Sequence, residues 1–402
     1  MTTPTSPQPA RVIPPSPDSS VIVHVFGRTD VGRTREHNED AFVVADLTRG
    51  NATLQPEVRT HVVGDRGSLF MVADGMGGAA AGEIASAMAI EVVMRFITEW
   101  LSAPEAPTDE EFAQGIKQAT AAANAQIYNF ALDHPEFRGM GTTATVAGVL
   151  GTTLFLAQVG DSRAYLVRDG VGRQITKDQS LMQKLIEAGE ITEEEAEYSE
   201  RRNIILQALG PEPTIKVDLT SQQIRQGDVL VICTDGLSGQ VRGEEITAIA
   251  SRERDLVSAC KQMIDRANEN GGPDNITVIC ARFEGAALRD AHADDAVGHR
   301  VYALPGDQGL TPSASQSAVG TATTGEMPAM RRPVNKLPPE AFVLTSSLPR
   351  EDLARRRSRG TLMALIFVLM FLVIATWWGY RTAEQHLTPR HPPGAVPADA
   401  RP

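Results

Sequence analysis

Sulfur and aromatic side chains are scarce in this chain of 402 residues. Its three cysteines are an odd number and widely spaced, and Cys233 and Cys280 sit inside the apolar runs "VLVICTDG" and "NITVICARF". Neither a disulfide framework nor a zinc ligand set is built that way, and a reducing compartment fits. Aromatics are 5% of the residues and no basic stripe interleaves with them before residue 285, so a net charge of -12 speaks against nucleic acid as a partner. The eight histidines show no ligand spacing such as HExxH. The opening "MTTPTSPQPARVIPPSPDSS" lacks the apolar core of a secretory signal, and residues 1–20 read as a disordered lead.

Long hydrophobic runs are also rare, with one exception. Residues 360–380, "GTLMALIFVLMFLVIATWWGY", carry no charge, and about 20 such residues suffice for a helix to cross a bilayer core. Trp377, Trp378 and Tyr380 cluster at one end like interfacial anchors. Arg350, Arg355, Arg356, Arg357 and Arg359 precede the run, whereas Arg381 and Arg390 are the nearby basic residues beyond it. The positive-inside rule predicts a single-pass protein of the cell membrane, with a cytoplasmic main domain and an external tail over 381–402. Residues 286–359, rich in Pro, Ser, Thr, Gly and Ala, read as a flexible tether with a basic juxtamembrane end.

The fold is therefore expected in residues 21–285. Strand patterns appear at "VIVHVFGRTDVG", "SLFMVADG", "TTATVAGVLGTTLFLAQVGDSRAYLVRDG", "GDVLVICTDG" and "DNITVICARF". Helical patterns appear at "GEIASAMAIEVVMRFITEWL", "DEEFAQGIKQATAAANAQIYNFAL", "SLMQKLIEAGEITEEEAEY" and "RDLVSACKQMIDRANEN". Strands in groups with helices between them suggest an α+β layered domain.

Five acids lie at the edge of apolar strands: Asp40 in "HNEDAF", Asp74, Asp161, Asp235 and Asp274. A single Asp-Gly pair is more often a turn, and Asp169-Gly170 between two apolar arms is assigned as one. Several carboxylates sharing one place repel, and need cations between them. An all-oxygen set suits Mg²⁺ or Mn²⁺. Glycine after Asp74 would let the Gly75 carbonyl approach such an ion.

"TREHNEDAF", "VADGMGGAAAGE", "GMGTTATV", "VGDSRAY", "CTDGLSG" and "GGPDNITV", in this order, resemble the metal-dependent protein phosphatase 2C family, in its bacterial membrane-anchored form. The resemblance implies two packed antiparallel β-sheets flanked by helix pairs, with a binuclear site at one end. It implies that Asp74, Asp235 and Asp274 bind one Mn²⁺ or Mg²⁺, that Asp74 and the Gly75 carbonyl bind a second, and that Glu39 and Asp40 hold waters on the metals. Arg35 would receive the substrate phosphate, and Asp161 with Asp235 would form a third, weaker metal site. Segment 177–210 resembles the family's flap, on which Arg201 and Arg202 are read as solvated surface residues. The implied reaction is hydrolysis of phosphoserine and phosphothreonine in proteins by a metal-activated water, opposing membrane-linked serine/threonine kinases.

A pseudophosphatase that binds phosphoproteins without turnover is the alternative, and the acidic residues at every matched metal position argue against it. A structural membrane adaptor is disfavoured on the same ground. One departure stands out: eukaryotic members carry a histidine where this chain has Met76, so the general acid is open. If residues 35–39 are extended, Arg35, His37 and Glu39 share a face, and His37 could protonate the departing serine oxygen. An ordinary solvated His37 is the preferred reading.

Overall fold

The computed structural model describes residues 20–305, apart from 54–56, 58, 200 and 293. The expected lead over 1–19, the tether beyond 305, the apolar run at 360–380 and the tail lie outside the described residues. Among the described residues no helix is long and apolar enough to cross a membrane.

Two antiparallel sheets face each other. The first runs in the order β10 (Val171–Gln174), β9 (Arg163–Arg168), β12 (Val229–Cys233), β13 (Ile276–Glu284), β1 (Ile22–Asp30) and β4 (Arg59–Val62). The second runs β11 (Asp218–Gln223), β8 (Thr153–Val159), β7 (Ala144–Leu150), β5 (Ser68–Met76), β2 (Asp40–Asp46) and β3 (Asn51–Thr53). A short β6 (Gly141–Thr142) pairs with the end of β5. Helices α1 (Ala79–Trp100) and α2 (Asp109–Asp133) cover the second sheet, and α6 (Gly243–Arg252) and α7 (Leu256–Glu269) cover the first. The α+β sandwich between helix pairs expected from the sequence is thus present.

This layering explains the unbroken apolar run of β5. Alternate strand residues point to opposite faces. Phe70 and Val72 enter the core between the sheets with Leu156, Leu230 and Ile279, while Leu69, Met71 and Ala73 meet Ile97, Phe112 and Ile116 of the helices. Both faces are covered, so no polar alternation survives. Phe70 is fully buried, and its replacement by alanine should cost about 3–5 kcal/mol. Helix α2 starts where Thr108 and Glu111 form a reciprocal capping box, a device typically worth about 1 kcal/mol. Asp169-Gly170 is the expected hairpin turn: Arg168 pairs with Val171, and both turn residues have positive φ.

Two expectations need correction, and one open condition is decided. The helical pattern over 180–198 is two short helices, α3 (Leu181–Glu187) and α4 (Glu193–Glu197), interrupted around Gly189 at φ 70°. Residues 35–39 are not extended, because the chain bends at Glu36 and His37. The boundary at 285 falls too early. Residues 298–302 lie along β11, with Ser221 N–H donating to Arg300 O at 3.0 Å and Tyr302 N–H to Leu219 O at 2.8 Å. Leu288 and Leu304 are buried, and the Tyr302 ring meets Phe155 edge-on. An edge strand leaves a row of peptide groups without partners, and this strap supplies them.

Candidate metal centre

Antiparallel strands alternate in direction, so strand starts and ends gather at one end of the sandwich. Asp40 opens β2 directly opposite Asp74 near the end of β5. Asp161 follows β8, Asp235 begins the short α5 (Asp235–Ser238) just past β12, and Asp274 precedes β13. All five acids therefore meet there, with Glu39 and Gly75 beside them: Gly75 N–H donates to Glu39 O at 3.2 Å.

Backbones approach closely here. A Cβ on Gly75 would stand 2.2 Å from the Gly82 carbonyl oxygen, and one on Gly82 would stand 2.0 Å from a Glu39 carboxylate oxygen. Glycine at 75 is thus required by the packing of the start of α1 against β5, independently of any ligand.

The electrostatics are those of acids facing acids. Burial and then neighbouring Asp40, Asp235, Asp161 and Asp274 push the Asp74 carboxyl well above the ordinary range. Asp161 is pushed up to about 8 by burial, then by Asp235 and Asp178. Asp40 rises to about 7 through burial, although hydroxyls of Thr277 and Thr234 oppose the rise. Asp235 is raised by burial and Asp274, while a hydrogen bond with Asp74 opposes this. Glu39 is raised by burial despite Arg35.

Arg35 is near the cluster but engaged: its Nη2 donates to Asp274 Oδ2 at 2.8 Å, and Nη1 lies 3.8 Å from Glu39. The other Asp274 oxygen accepts the Asn275 N–H at 2.8 Å. These bonds occupy both oxygens of Asp274, and among the described residues no three acid, histidine or cysteine side chains already converge as a closed ligand set. The donor set nevertheless fits a hard divalent ion. Among the described residues, the buried carboxylate oxygens without a hydrogen-bond partner are Oδ1 of Asp40, Asp161 and Asp235, all in this cluster. A buried anionic oxygen without a donor is costly unless a cation meets it.

His37 is exposed on the bend, and its carbonyl accepts from Asn275 Nδ2 at 2.9 Å. Arg201 and Arg202 are exposed on the flap, as expected. The root of the flap is fixed to the loop bearing Asp161: Gln179 and Gly160 exchange two hydrogen bonds of 2.9 Å, and Arg163 grips Asp178 at 2.7 Å.

Several polar residues here have no role in the sequence reading. Thr234 and Thr277 both donate to Asp40 Oδ2, at 2.8 and 2.6 Å. Thr143 Oγ1 accepts the Asp74 N–H at 3.0 Å and meets Ser162 Oγ at 2.8 Å, joining β5 at Asp74 to the loop that bears Asp161. Their available signal was a threonine within an apolar strand run, as in "DNITVICARF".

Comparison with known proteins identifies the family. The model of the family described as Protein phosphatase 2C matches residues 49–278. The serine/threonine phosphatase stp of Listeria innocua is 37% identical over 257 residues, covering 64% of this chain and 94% of that protein. The crystal structure of the Mycobacterium tuberculosis serine/threonine phosphatase PstP/Ppp superposes with a TM-score of 0.55 at 34% identity, covering 65% of this chain and 99% of that one. A structure of the PstP catalytic domain in complex with two manganese ions gives 0.54 at 32% identity, over 66% and 99% of the respective chains. With the sandwich, the acid cluster and a family match across more than half its length, the chain belongs to the protein phosphatase 2C family and is a serine/threonine phosphatase of the bacterial type.

Proposed function

We propose that the acid cluster holds two Mn²⁺ or Mg²⁺ ions in its core and a third more weakly, and that the enzyme uses them to hydrolyse phosphoserine and phosphothreonine in proteins. The observation that carries this is the set of three buried, partnerless carboxylate oxygens on Asp40, Asp161 and Asp235. Asp74, Asp235, Asp274 and the Gly75 carbonyl are assigned to the core ions, Asp161 with Asp235 to the weak one, and Glu39 and Asp40 to their waters. Bound there, the ions would make water acidic enough to supply hydroxide near neutral pH and would polarise the phosphoryl oxygens.

The chain's own residues do the rest. Arg35 presents a planar fork that matches two phosphate oxygens better than lysine would. Its side chain is 45% exposed, so turning from Asp274 to an incoming phosphate requires no repacking. Gln179 and the Arg163–Asp178 pair hold the flap root beside Asp161, which keeps the rim of the site in place.

Substrates are phosphorylated proteins. The basic residues before the apolar run at 360–380 support a single-pass membrane protein with a cytoplasmic catalytic domain, positioned to oppose membrane-linked serine/threonine kinases. The test is to strip metal from the full chain in detergent and titrate manganese against a phosphoserine and a phosphothreonine peptide. Turnover should return with metal. Peptide binding without turnover at any manganese level would make the protein a pseudophosphatase. A reporter fused after residue 402 should behave as external, and a cytoplasmic signal would overturn the topology.

A further inference from the structure

Asp40 is held by a circuit whose proton directions can be worked out. Thr277 Oγ1 donates to Asp40 Oδ2 at 2.6 Å, and Thr234 Oγ1 donates to the same oxygen at 2.8 Å. Each hydroxyl has one hydrogen to give. Thr277 has spent its own on Asp40, so its 2.8 Å contact with Thr29 Oγ1 must be one in which Thr29 donates. Thr29 then accepts from Asn38 Nδ2 at 2.8 Å, and Asn38 Oδ1 accepts the Asp40 N–H at 3.1 Å, which closes the ring. Thr234 Oγ1 in turn accepts the Thr277 N–H at 3.0 Å.

The result is asymmetric. Both threonine hydroxyls are fully buried and both point at Oδ2, while Oδ1 of the same carboxylate has no partner. A buried aspartate that served only packing would have donors shared between its two oxygens.

We propose that Thr277 and Thr234, backed by Thr29 and Asn38, are positioning residues that commit one oxygen of Asp40 to the protein and reserve the other for the metal side of the site. This rests on the reading that the acid cluster holds divalent metal. The clamp fixes the Asp40 side chain in one rotamer and keeps it an acceptor, so the cation or its water meets a preset oxygen.

The test is manganese binding to the chelator-stripped full chain, followed by calorimetry, alongside kcat and KM on a phosphoserine peptide. Thr277→Val keeps the shape and removes the hydroxyl, and should weaken one manganese step by about tenfold, as outer-shell partners do. Thr277→Ser, which keeps the hydroxyl, should restore it. In an Asp40→Asn background Thr277→Val should change manganese binding no further. A purely structural threonine would lower the thermal midpoint and leave manganese affinity intact, and that result overturns the clamp. Should Thr277→Val fail to fold, Thr29→Val leaves Asp40 untouched and should weaken binding about threefold, near the worth of one net hydrogen bond. Unchanged binding in that variant overturns the proposal equally. Manganese binding that survives Asp74→Asn undiminished would instead bring down the metal reading, and the clamp with it.

Discussion

Two groups of acids at opposite ends of the sandwich are treated in opposite ways. At the end of β9 away from Asp161, Arg168 pairs with Asp228 at 2.6 Å, and Asp295 of the strap takes Arg225 at 2.8 Å and Arg289 at 2.7 Å. Hydrogen bonding from Arg225 holds the half-buried Asp295 carboxyl well below the ordinary range, whereas burial raises Asp228 although Arg168 and Arg225 oppose the rise. At the other end Asp40, Asp74, Asp161 and Asp235 face one another, and burial with mutual repulsion drives all four upward. The chain can therefore answer a buried acid with arginine when the acid serves only the fold. Where it withholds the arginine, the counter-charge is left for something bound.

The sharpest way to break this contrast is Asp74→Asn. Removing the acid at the centre of the cluster should lower kcat/KM by about 10³-fold or more, several kcal/mol of lost metal stabilisation at 1.36 kcal/mol per decade. The same substitution should raise the thermal midpoint of the chelated protein, since one repelling charge is gone. Full activity, or a lower midpoint without metal, would show that these acids are not an unneutralised metal site.

Arg168→Met makes the opposite test at the far end. Stranding Asp228 should cost about 3–5 kcal/mol, a drop of about 10 °C in Tm, with kcat/KM of the folded fraction unchanged. Truncation after Gly285, which deletes Asp295, Leu288 and Leu304, should act in the same direction. A catalytic loss without a stability loss in either variant would mean the two ends are not functionally separate.

A smaller effect follows from pH. Asp40 titrates near 7 and Asp161 near 8 in the metal-free fold, against an ordinary value of 3.8. Above pH 4 the unfolded chain has released these protons while the folded one retains them, so the folded state binds more protons and its stability must fall as pH rises. Without metal, Tm should decline between about pH 4 and 8 and then level off. Saturating manganese displaces those protons and should flatten or reverse the decline. A chelated protein that gains stability over that interval would contradict the acid-against-acid account.

How much of this was legible in the sequence depended on range. Asp74 and Asp235 announced themselves because an apolar strand running into an acid and a glycine is a local signal, and α1, α2 and α7 followed from their apolar periodicity. Strand β11, "DLTSQQ", was missed because a polar edge strand has no apolar alternation, and α6 because ten residues give the helical period little length. The strap was taken for tether because its composition is that of a linker, and its hold depends on Asp295 meeting arginines 70 residues earlier, at Arg225, and farther. The Thr277–Asp40 bond spans 237 residues, and no window along the chain contains both partners.

His37 offers the smallest expected effect. The idea that it protonates the departing serine oxygen required residues 35–39 to be extended, so that His37 shared a face with Arg35 and Glu39. The bend at Glu36 and His37 removes that alternation, and Arg35 and Glu39 approach each other at 3.8 Å across it while His37 stays exposed. What His37 contributes is its carbonyl, which holds Asn275, and a backbone carbonyl survives substitution. His37→Ala should therefore change turnover by less than about threefold on both a phosphoserine peptide and p-nitrophenyl phosphate, whereas loss of a true general acid would cost about 10² or more on the peptide alone. The two substrates separate the cases because serine alkoxide needs a proton to leave and p-nitrophenolate does not. A large loss confined to the phosphoserine peptide would restore His37 as the acid, and would mean that the bend straightens when substrate binds.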